Sequence, residues 1–235
     1  MSKLVVVTGG TKGIGRAIVN KFVTQGLDVI TCARNQNDLK TLQEEMYDRN
    51  NGGNILTFQA DLSDRNQIKK FIDFIHNEQR HVDVLINNVG YFVPGDICTE
   101  PDGNLEKMIQ ANLYSAYYLT RSIVPGMKAQ KAGHIFNMCS IASFMAYPNG
   151  GSYAISKSAL LGFSKCLRAE LREFGIRVTA VMPGATFTDS WAGTPHSEER
   201  FIPVEDVAEM IYTSYTLSAR SVVEDIIIRP QLGDI

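Results

Sequence analysis

The sequence predicts an α/β fold: a single-domain, Rossmann-like doubly wound sheet of about seven parallel strands with helices on both faces. Three observations predict it. Short β-branched runs alternate with longer segments of helical periodicity along the whole chain. The strand runs are continuously apolar, which marks a sheet covered on both sides. The chain has 235 residues, a length that suits one large domain, and shows no linker, repeat or low-complexity tract.

Leu4–Val7 is the first strand. Ile14, Ile18 and Phe22 recur every four residues and mark a helix face, with Gly26 as its stop. Val29–Cys32 is the second strand. Leu39, Leu42 and Met46 carry the second helix, which ends in the turn at 50–53. Ile55–Gln59 is the third strand, followed by a helix on Ile68, Phe71, Ile72 and Ile75. Val82–Ile86 is the fourth. Turn residues fill 90–104. A long helix then runs from about Leu105 to Met127, where Pro125-Gly126 should kink or end it. Ile135–Met138 is the fifth strand and 152–174 a helix stopped by Gly175. Ile176–Val181, a helix over 204–218 and Val222–Ile228 complete the pattern. Right-handed crossovers place any ligand at the carboxyl ends of the strands, where the winding reverses.

Composition narrows the function classes. Lys and Arg total 23 against 25 Asp and Glu, a net charge of −2. That gives no general attraction to nucleic acid or to an acidic membrane surface. Cys32, Cys98, Cys139 and Cys166 lie far apart and read as reduced thiols of a cytoplasmic protein. The four His show no ligand spacing, so no metal is expected. The apolar run before Thr8 is too short for a signal-peptide core, and no run approaches a membrane span.

Thr8-Gly9-Gly10-Thr11-Lys12-Gly13-Ile14-Gly15 falls between the first strand and first helix. Glycines there let the backbone approach a pyrophosphate, and the helix N-terminus stabilises its charge. Gly9, Thr11, Lys12, Gly13, Ile14 and Gly15 are assigned to that contact. Lys12 is followed by Gly13-Ile14 and not by Ser or Thr, which argues against a nucleotide triphosphatase. The second strand ends in Cys32-Ala33-Arg34 without the carboxylate that accepts from an NAD ribose. Arg34 can instead pair with a 2′-phosphate, and Lys12 adds a second positive charge. Either alone reads equally well as a solvated charge. Together, at the two places a 2′-phosphate needs them, they predict NADP(H) over NAD(H).

Tyr153 and Lys157 stand four residues apart at the start of a predicted helix, on one face. A free phenol titrates near pH 10, and a neighbouring ammonium lowers that value. The pair alone is weak, as Tyr117 and Arg121 show at the same spacing; those are assigned to structure. Ser140 closes the fifth strand and can donate to a carbonyl oxygen at the same sheet edge. Asn112 lies in the preceding helix, where a polar kink can hold a water leading to Lys157.

These residues resemble the classical branch of the short-chain dehydrogenase/reductase family over nearly the whole chain. Gly9, Gly13 and Gly15 match its glycine spacing. Asn112, Ser140, Tyr153 and Lys157 match its tetrad, with the spacing of its 3-oxoacyl carrier-protein reductases and small carbonyl reductases. Asp61-Leu62 resembles the adenine contact. Asn87-Asn88-Val89-Gly90 resembles the segment after the fourth strand, and supplies Asn88 and Gly90. Pro183, Gly184, Thr186 and Thr188 resemble the loop that meets the nicotinamide. The resemblance implies a carbonyl reductase: hydride from NADPH reaches the carbonyl carbon, Ser140 polarises the carbonyl and Tyr153 protonates it. It further implies that Lys157 lowers the Tyr153 pKa, holds the nicotinamide ribose and draws protons through a water on Asn112. Val89 in place of a small Ala, a short lid over about 188–203 and a C-terminus without Gly-Gly depart from the pattern.

Phe92, Val93, Pro94, Met145, Tyr147, Phe187 and Trp191 should line an apolar pocket for a small carbonyl or alcohol substrate. An alternative is an NADPH-binding sensor without turnover, disfavoured because both Tyr153 and Lys157 are kept. The glycine spacing disfavours an epimerase. Tyr114, Tyr118, Leu161 and Phe163 look exposed on the two long helices, as in a homodimer or homotetramer.

Overall fold

The structure is a computed structural model and describes residues 2–47, 52–191 and 193–235. Seven parallel strands run β1 (Leu4–Thr8), β2 (Asp28–Ala33), β3 (Ile55–Gln59), β4 (Val84–Asn87), β5 (Gly133–Met138), β6 (Ile176–Pro183) and β7 (Asp225–Ile228). Their order in the sheet is β3-β2-β1-β4-β5-β6-β7. The winding reverses between β1 and β4, and the crevice opens above their carboxyl ends.

Successive residues of β1 feed opposite cores. Val5 and Val7 join Val29, Val84, Ile86 and Val181 beneath α1 (Gly13–Thr24), α2 (Gln36–Tyr47) and α7 (Val204–Thr216). Leu4 and Val6 join Ile30, Leu85, Ile135 and Val178 beneath α3 (Arg65–Asn77), α5 (Ser115–Gln130) and α6 (Gly151–Leu171). Both faces are therefore apolar, as the continuous strand runs predict. Within the helices the expected stripes are buried: Ile18 and Phe22, Leu39 and Leu42, Ile68, Phe71 and Ile75. Asp64 caps α3 by accepting from the amides of Asn66 and Gln67.

The long central helix departs from expectation. It begins as α4 (Asn104–Ile109), widens into a π-helical turn over Gln110–Tyr114 and continues as α5. Pro125 sits inside α5 and does not end it. Burial of Ile123 and Met127 holds the segment helical across the missing amide, up to the left-handed Lys131. Val82 and Val222–Glu224 fall outside the strands expected for them. Leu161 is buried, not exposed, because it packs with Leu160, Ala116 and Met182. The expected turn at 50–53 lies partly outside the described residues.

Candidate active site

The phosphate-side wall is a backbone arrangement. Lys12 is extended at the N-cap of α1, with no side-chain cap and no acidic residue in the first turn. The helix therefore presents uncompensated amides to an anion. Gly9 and Gly13 have φ of +68° and +52°, which glycine adopts without strain. A Cβ at Gly15 would stand 2.1 Å from the Gly9 carbonyl oxygen and 2.5 Å from Asn88 Nδ2, and one at Gly10 2.2 Å from Thr31 Oγ1. Asn88 Nδ2 donates to the carbonyls of Thr8 (2.9 Å) and Gly9 (3.2 Å), tying the loop after β4 to this turn. Ile14 is half-buried against the core.

A cleft of about 1000 Å³ runs along the switch point. Gly9, Thr11, Lys12, Arg34, Asp61, Leu62, Asn88 and Gly90 line it, eight of the residues expected to hold a cofactor. Gly13, Ile14 and Gly15 lie behind its rim, with Thr188 Cγ2 3.0 Å from where a Cβ on Gly13 would be. Pro183 ends β6; Thr186 is buried and donates to the Gly184 carbonyl. Asp61 accepts from the amide (2.9 Å) and hydroxyl (2.7 Å) of Ser63. Val89 turns its bulk onto Gly9, 3.2 Å from a Cβ position there.

Asp38 was not singled out in the sequence, yet it lines the Arg34 end of the cleft. Its carboxylate lies 3.6 Å from Lys12 Nζ, and Asp189 lies 3.7 Å from the same ammonium. No spacing signal marked it, because Arg34 lies before the start of α2 and only the fold brings Asp38 to Lys12. Lys12 is thus paired and still largely exposed, with its charge turned to the cleft mouth.

At the other end the cleft stops at Gly90 and Tyr91. Asn112 is buried, not a helix-surface amide. Its Oδ1 accepts from the Tyr91 amide (2.6 Å), and its Nδ2 donates to the Tyr91 carbonyl (3.0 Å) and Ser156 Oγ (2.8 Å). Ser156 in turn donates to the Tyr153 carbonyl at 2.8 Å. Ser156 is a residue the sequence reading missed. It carries no motif; only the fold shows it bridging Asn112 to α6.

Tyr153 and Lys157 lie on one face of α6. Lys157 is 3% exposed, donates to the Met138 carbonyl at 2.7 Å and lies 5.7 Å from the Tyr153 ring centroid. A Cβ on Gly90 would be 3.3 Å from its Nζ, so the ammonium reaches the cleft wall. Ser140 is buried at the end of β5 and its Oγ accepts from the Ala142 amide at 3.1 Å, capping a short turn. The Ser140 hydroxyl also adjoins the Tyr153 phenol.

The electrostatics correct one expectation. Burial raises the Tyr153 pKa above its ordinary value, and the Ser140 hydroxyl opposes this only partly. Burial also lowers Lys157 from 10.5 to about 8, against the pull of Cys139. In the chain by itself, desolvation outweighs the Ser140 hydrogen bond, and the phenol is held protonated.

Phe92 packs edge-on against Tyr153, with ring centroids 4.9 Å apart. Tyr91, Phe92, Phe144, Met145, Tyr147 and Phe187 are exposed large apolar side chains. In the expected lid, Phe187 and Trp191 pack on Phe201 at 5.5 and 5.0 Å, and Arg200 grips the carbonyls of Leu232, Gly233 and Asp234. Tyr117 accepts from Arg121 at 2.9 Å on an exposed surface, the structural role expected of it.

This geometry meets its counterparts among known proteins. The family profile described as short chain dehydrogenase matches residues 3–199. The chain belongs to the short-chain dehydrogenase family of oxidoreductases. It is 30% identical over 243 residues to a sepiapterin reductase of Chlorobaculum tepidum, covering 100% of this chain and 99% of that protein. It is 32% identical over 230 residues to the NADP-dependent 3-hydroxy acid dehydrogenase YdfG of Salmonella typhi, covering 92% and 90%. Among solved structures it is similar to a metagenomic short-chain oxidoreductase in complex with NADP, with TM-score 0.83, 30% identity and 97% of each chain covered. It is also similar to the closed form of a serine dehydrogenase complexed with NADP+, with TM-score 0.84, 29% identity and 95% and 93% covered.

Proposed function

We propose that the chain is an NADP(H)-dependent reductase of small carbonyl compounds, working reversibly between a ketone or aldehyde and its alcohol. The observation that carries this reading is the meeting of Tyr153, Lys157 and Ser140 behind Gly90, whose Cβ position lies 3.3 Å from Lys157 Nζ and which lines the same cleft as Arg34 and Lys12. The cleft fits the cofactor. Its volume suits a large ligand, its cations face where a 2′-phosphate would lie, and the uncapped start of α1 suits the pyrophosphate. Relatives named for NADP dependence and neighbours solved with NADP support the same choice.

The bound dinucleotide supplies the hydride. Ser140 donates to the substrate carbonyl oxygen and draws charge onto it. Tyr153, kept protonated by burial, then gives its proton to that oxygen. The Lys157 ammonium stabilises the phenolate left behind and would hold the nicotinamide ribose. Asn112 fixes the wall at Tyr91, and a water on Asn112 would relay protons from solvent to Lys157. Pro183, Gly184, Thr186 and Thr188 would hold the nicotinamide carboxamide. The segment over about 188–203 covers the substrate, and the exposed apolar side chains around Phe92 and Tyr147 select a largely apolar one.

The test is NADPH oxidation over a panel of ketones, aldehydes, sugars, pteridines and acyl thioesters. Turnover of one class with NADPH preferred over NADH supports the reading. Tight NADPH binding with no turnover anywhere overturns it in favour of a sensor.

We also place the chain in the cytoplasm as a homo-oligomer. All four cysteines are free, and no helix among the described residues is long and apolar enough to cross a membrane. Tyr114 of the π turn, Tyr117 and Tyr118 of α5 and Phe163 of α6 form an aromatic face, with Tyr114 41% exposed. Light scattering giving a monomer mass overturns the oligomer.

A further inference from the structure

The catalytic helix α6 begins at Gly151, two residues before Tyr153, with no side-chain cap of its own and no acidic residue in its first turn. A carboxylate from a different segment reaches its first turn. Glu100 Oε1 accepts a short hydrogen bond from the Ser152 hydroxyl, and Ser152 is 2% exposed. Oε2 of Glu100 is buried without a hydrogen-bond partner among the described residues. The residue as a whole is half-buried, and the Ser152 hydroxyl is the side-chain partner that holds its other oxygen among the described residues.

The surrounding backbone is built to bring Glu100 there. The Gly95 amide donates to the Asn149 carbonyl at 2.9 Å, and Gly95 bridges Gly150 in parallel. The Glu100 amide donates to the Asp96 carbonyl at 2.7 Å, closing a turn. A Cβ at Gly95 would lie 2.9 Å from Glu100 Cβ, and one at Gly151 would lie 2.9 Å from Ile97 Cβ. The same loop carries Phe92 onto the Tyr153 ring. The loop over 91–103 and the first turn of α6 are thus tied together, by backbone at Gly95–Asn149 and by side chains at Glu100–Ser152 and Phe92–Tyr153.

We infer that Glu100, acting through Ser152, is a positioning residue that fixes where the Tyr153 phenol stands relative to the substrate oxygen. This rests on the reading of Tyr153 as the proton donor. A donor displaced by a fraction of an ångström still binds nothing differently, but it transfers its proton more slowly. The signature is therefore a loss in kcat whose proton-transfer step has become limiting.

The test uses the full chain with NADPH and a carbonyl substrate from the panel. Glu100→Ala and Ser152→Ala should each lower kcat by about tenfold to a hundredfold, with the NADPH Kd changed less than about twofold. The solvent deuterium isotope effect on kcat should rise in both. The double variant should be no slower than the slower single one, because both remove one link. Glu100→Gln keeps the acceptor oxygen and should recover most of the rate. Unchanged kcat and isotope effect in Ser152→Ala and Glu100→Ala overturn the inference. So does a kcat loss with no rise in the isotope effect. If Glu100→Ala does not fold, Ser152→Ala decides alone. Tyr153→Phe is run in parallel. If it keeps turnover, the proton-donor reading falls. If it is inactive while the other variants match the parent chain, the positioning inference falls by itself.

Discussion

Asn112 holds Tyr91 by both polar groups of its peptide backbone, accepting from the amide at 2.6 Å and donating to the carbonyl at 3.0 Å. One buried amide thereby clamps the strand-end loop whose Gly90 and Tyr91 form the cleft wall beside Lys157. Asn112→Ala leaves the Tyr91 groups and Ser156 Oγ short of partners. It should lower stability by about 2–4 kcal/mol, as expected for several orphaned buried groups. Urea unfolding measures it, and an unchanged midpoint would show that the clamp carries no stability.

Tyr153→Phe removes one oxygen and leaves the ring against Phe92. Turnover should fall by at least about a hundredfold, the usual range for loss of a positioned acid. NADPH affinity, followed by fluorescence titration, should stay close to that of the parent chain. Preserved turnover would remove the phenol from the chemistry.

If Arg34 and Lys12 hold the 2′-phosphate as proposed, cofactor choice follows from the charges lining their end of the cleft, Asp38 included. Arg34→Ala and Lys12→Ala should each weaken NADPH binding by about tenfold to a hundredfold, the worth of one charge-assisted hydrogen bond, and leave NADH nearly unaffected. Asp38→Asn should act in the opposite direction. It frees Lys12, 3.6 Å away, from a competing carboxylate and removes a repulsive charge from the same wall. Calorimetric titration with both dinucleotides checks all three. Tighter NADH binding in Asp38→Asn would contradict the assignment.

Burial lowers the Lys157 pKa from 10.5 to about 8. Between these values the unfolded chain binds more protons than the folded one, so folding stability rises with pH across that window. Compared with Lys157→Met, the parent chain should gain up to about 3 kcal/mol as pH rises from about 8 to 10.5. Denaturant unfolding of both chains at pH 7.5 and pH 10 reads this difference on an order-of-magnitude scale. A difference independent of pH would mean that Lys157 titrates normally in the folded state.

The strands and helix faces were legible because they depend on local pattern. Ile55–Gln59 is a strand with the same bounds in sequence and structure, and Ile68, Phe71 and Ile75 are buried as their spacing requires. The phosphate loop and the Tyr153–Lys157 face were legible for the same reason. The π turn at Gln110–Tyr114 was not, since it accompanies Asn112 bonding to Tyr91 and Ser156, 21 and 44 residues away. Nor was the continuity of α5 through Pro125, which packing decides against propensity. Spacing reveals the ammonium beside Tyr153 but not the depth at which both groups sit, and it is that depth which raises the phenol in the chain by itself. Glu100 and Asp38 look like ordinary surface acids until the fold brings Ser152 and Lys12 to them.

The glycines at 10 and 15 have a practical consequence for anyone redesigning this chain. A methyl group at either would collide with atoms 2.1–2.2 Å away, so randomising that hairpin yields chiefly misfolded clones. Library diversity belongs on the rim, where Met145 is 37% open to solvent and, unlike Phe92 and Phe187, takes part in no ring stack among the described residues.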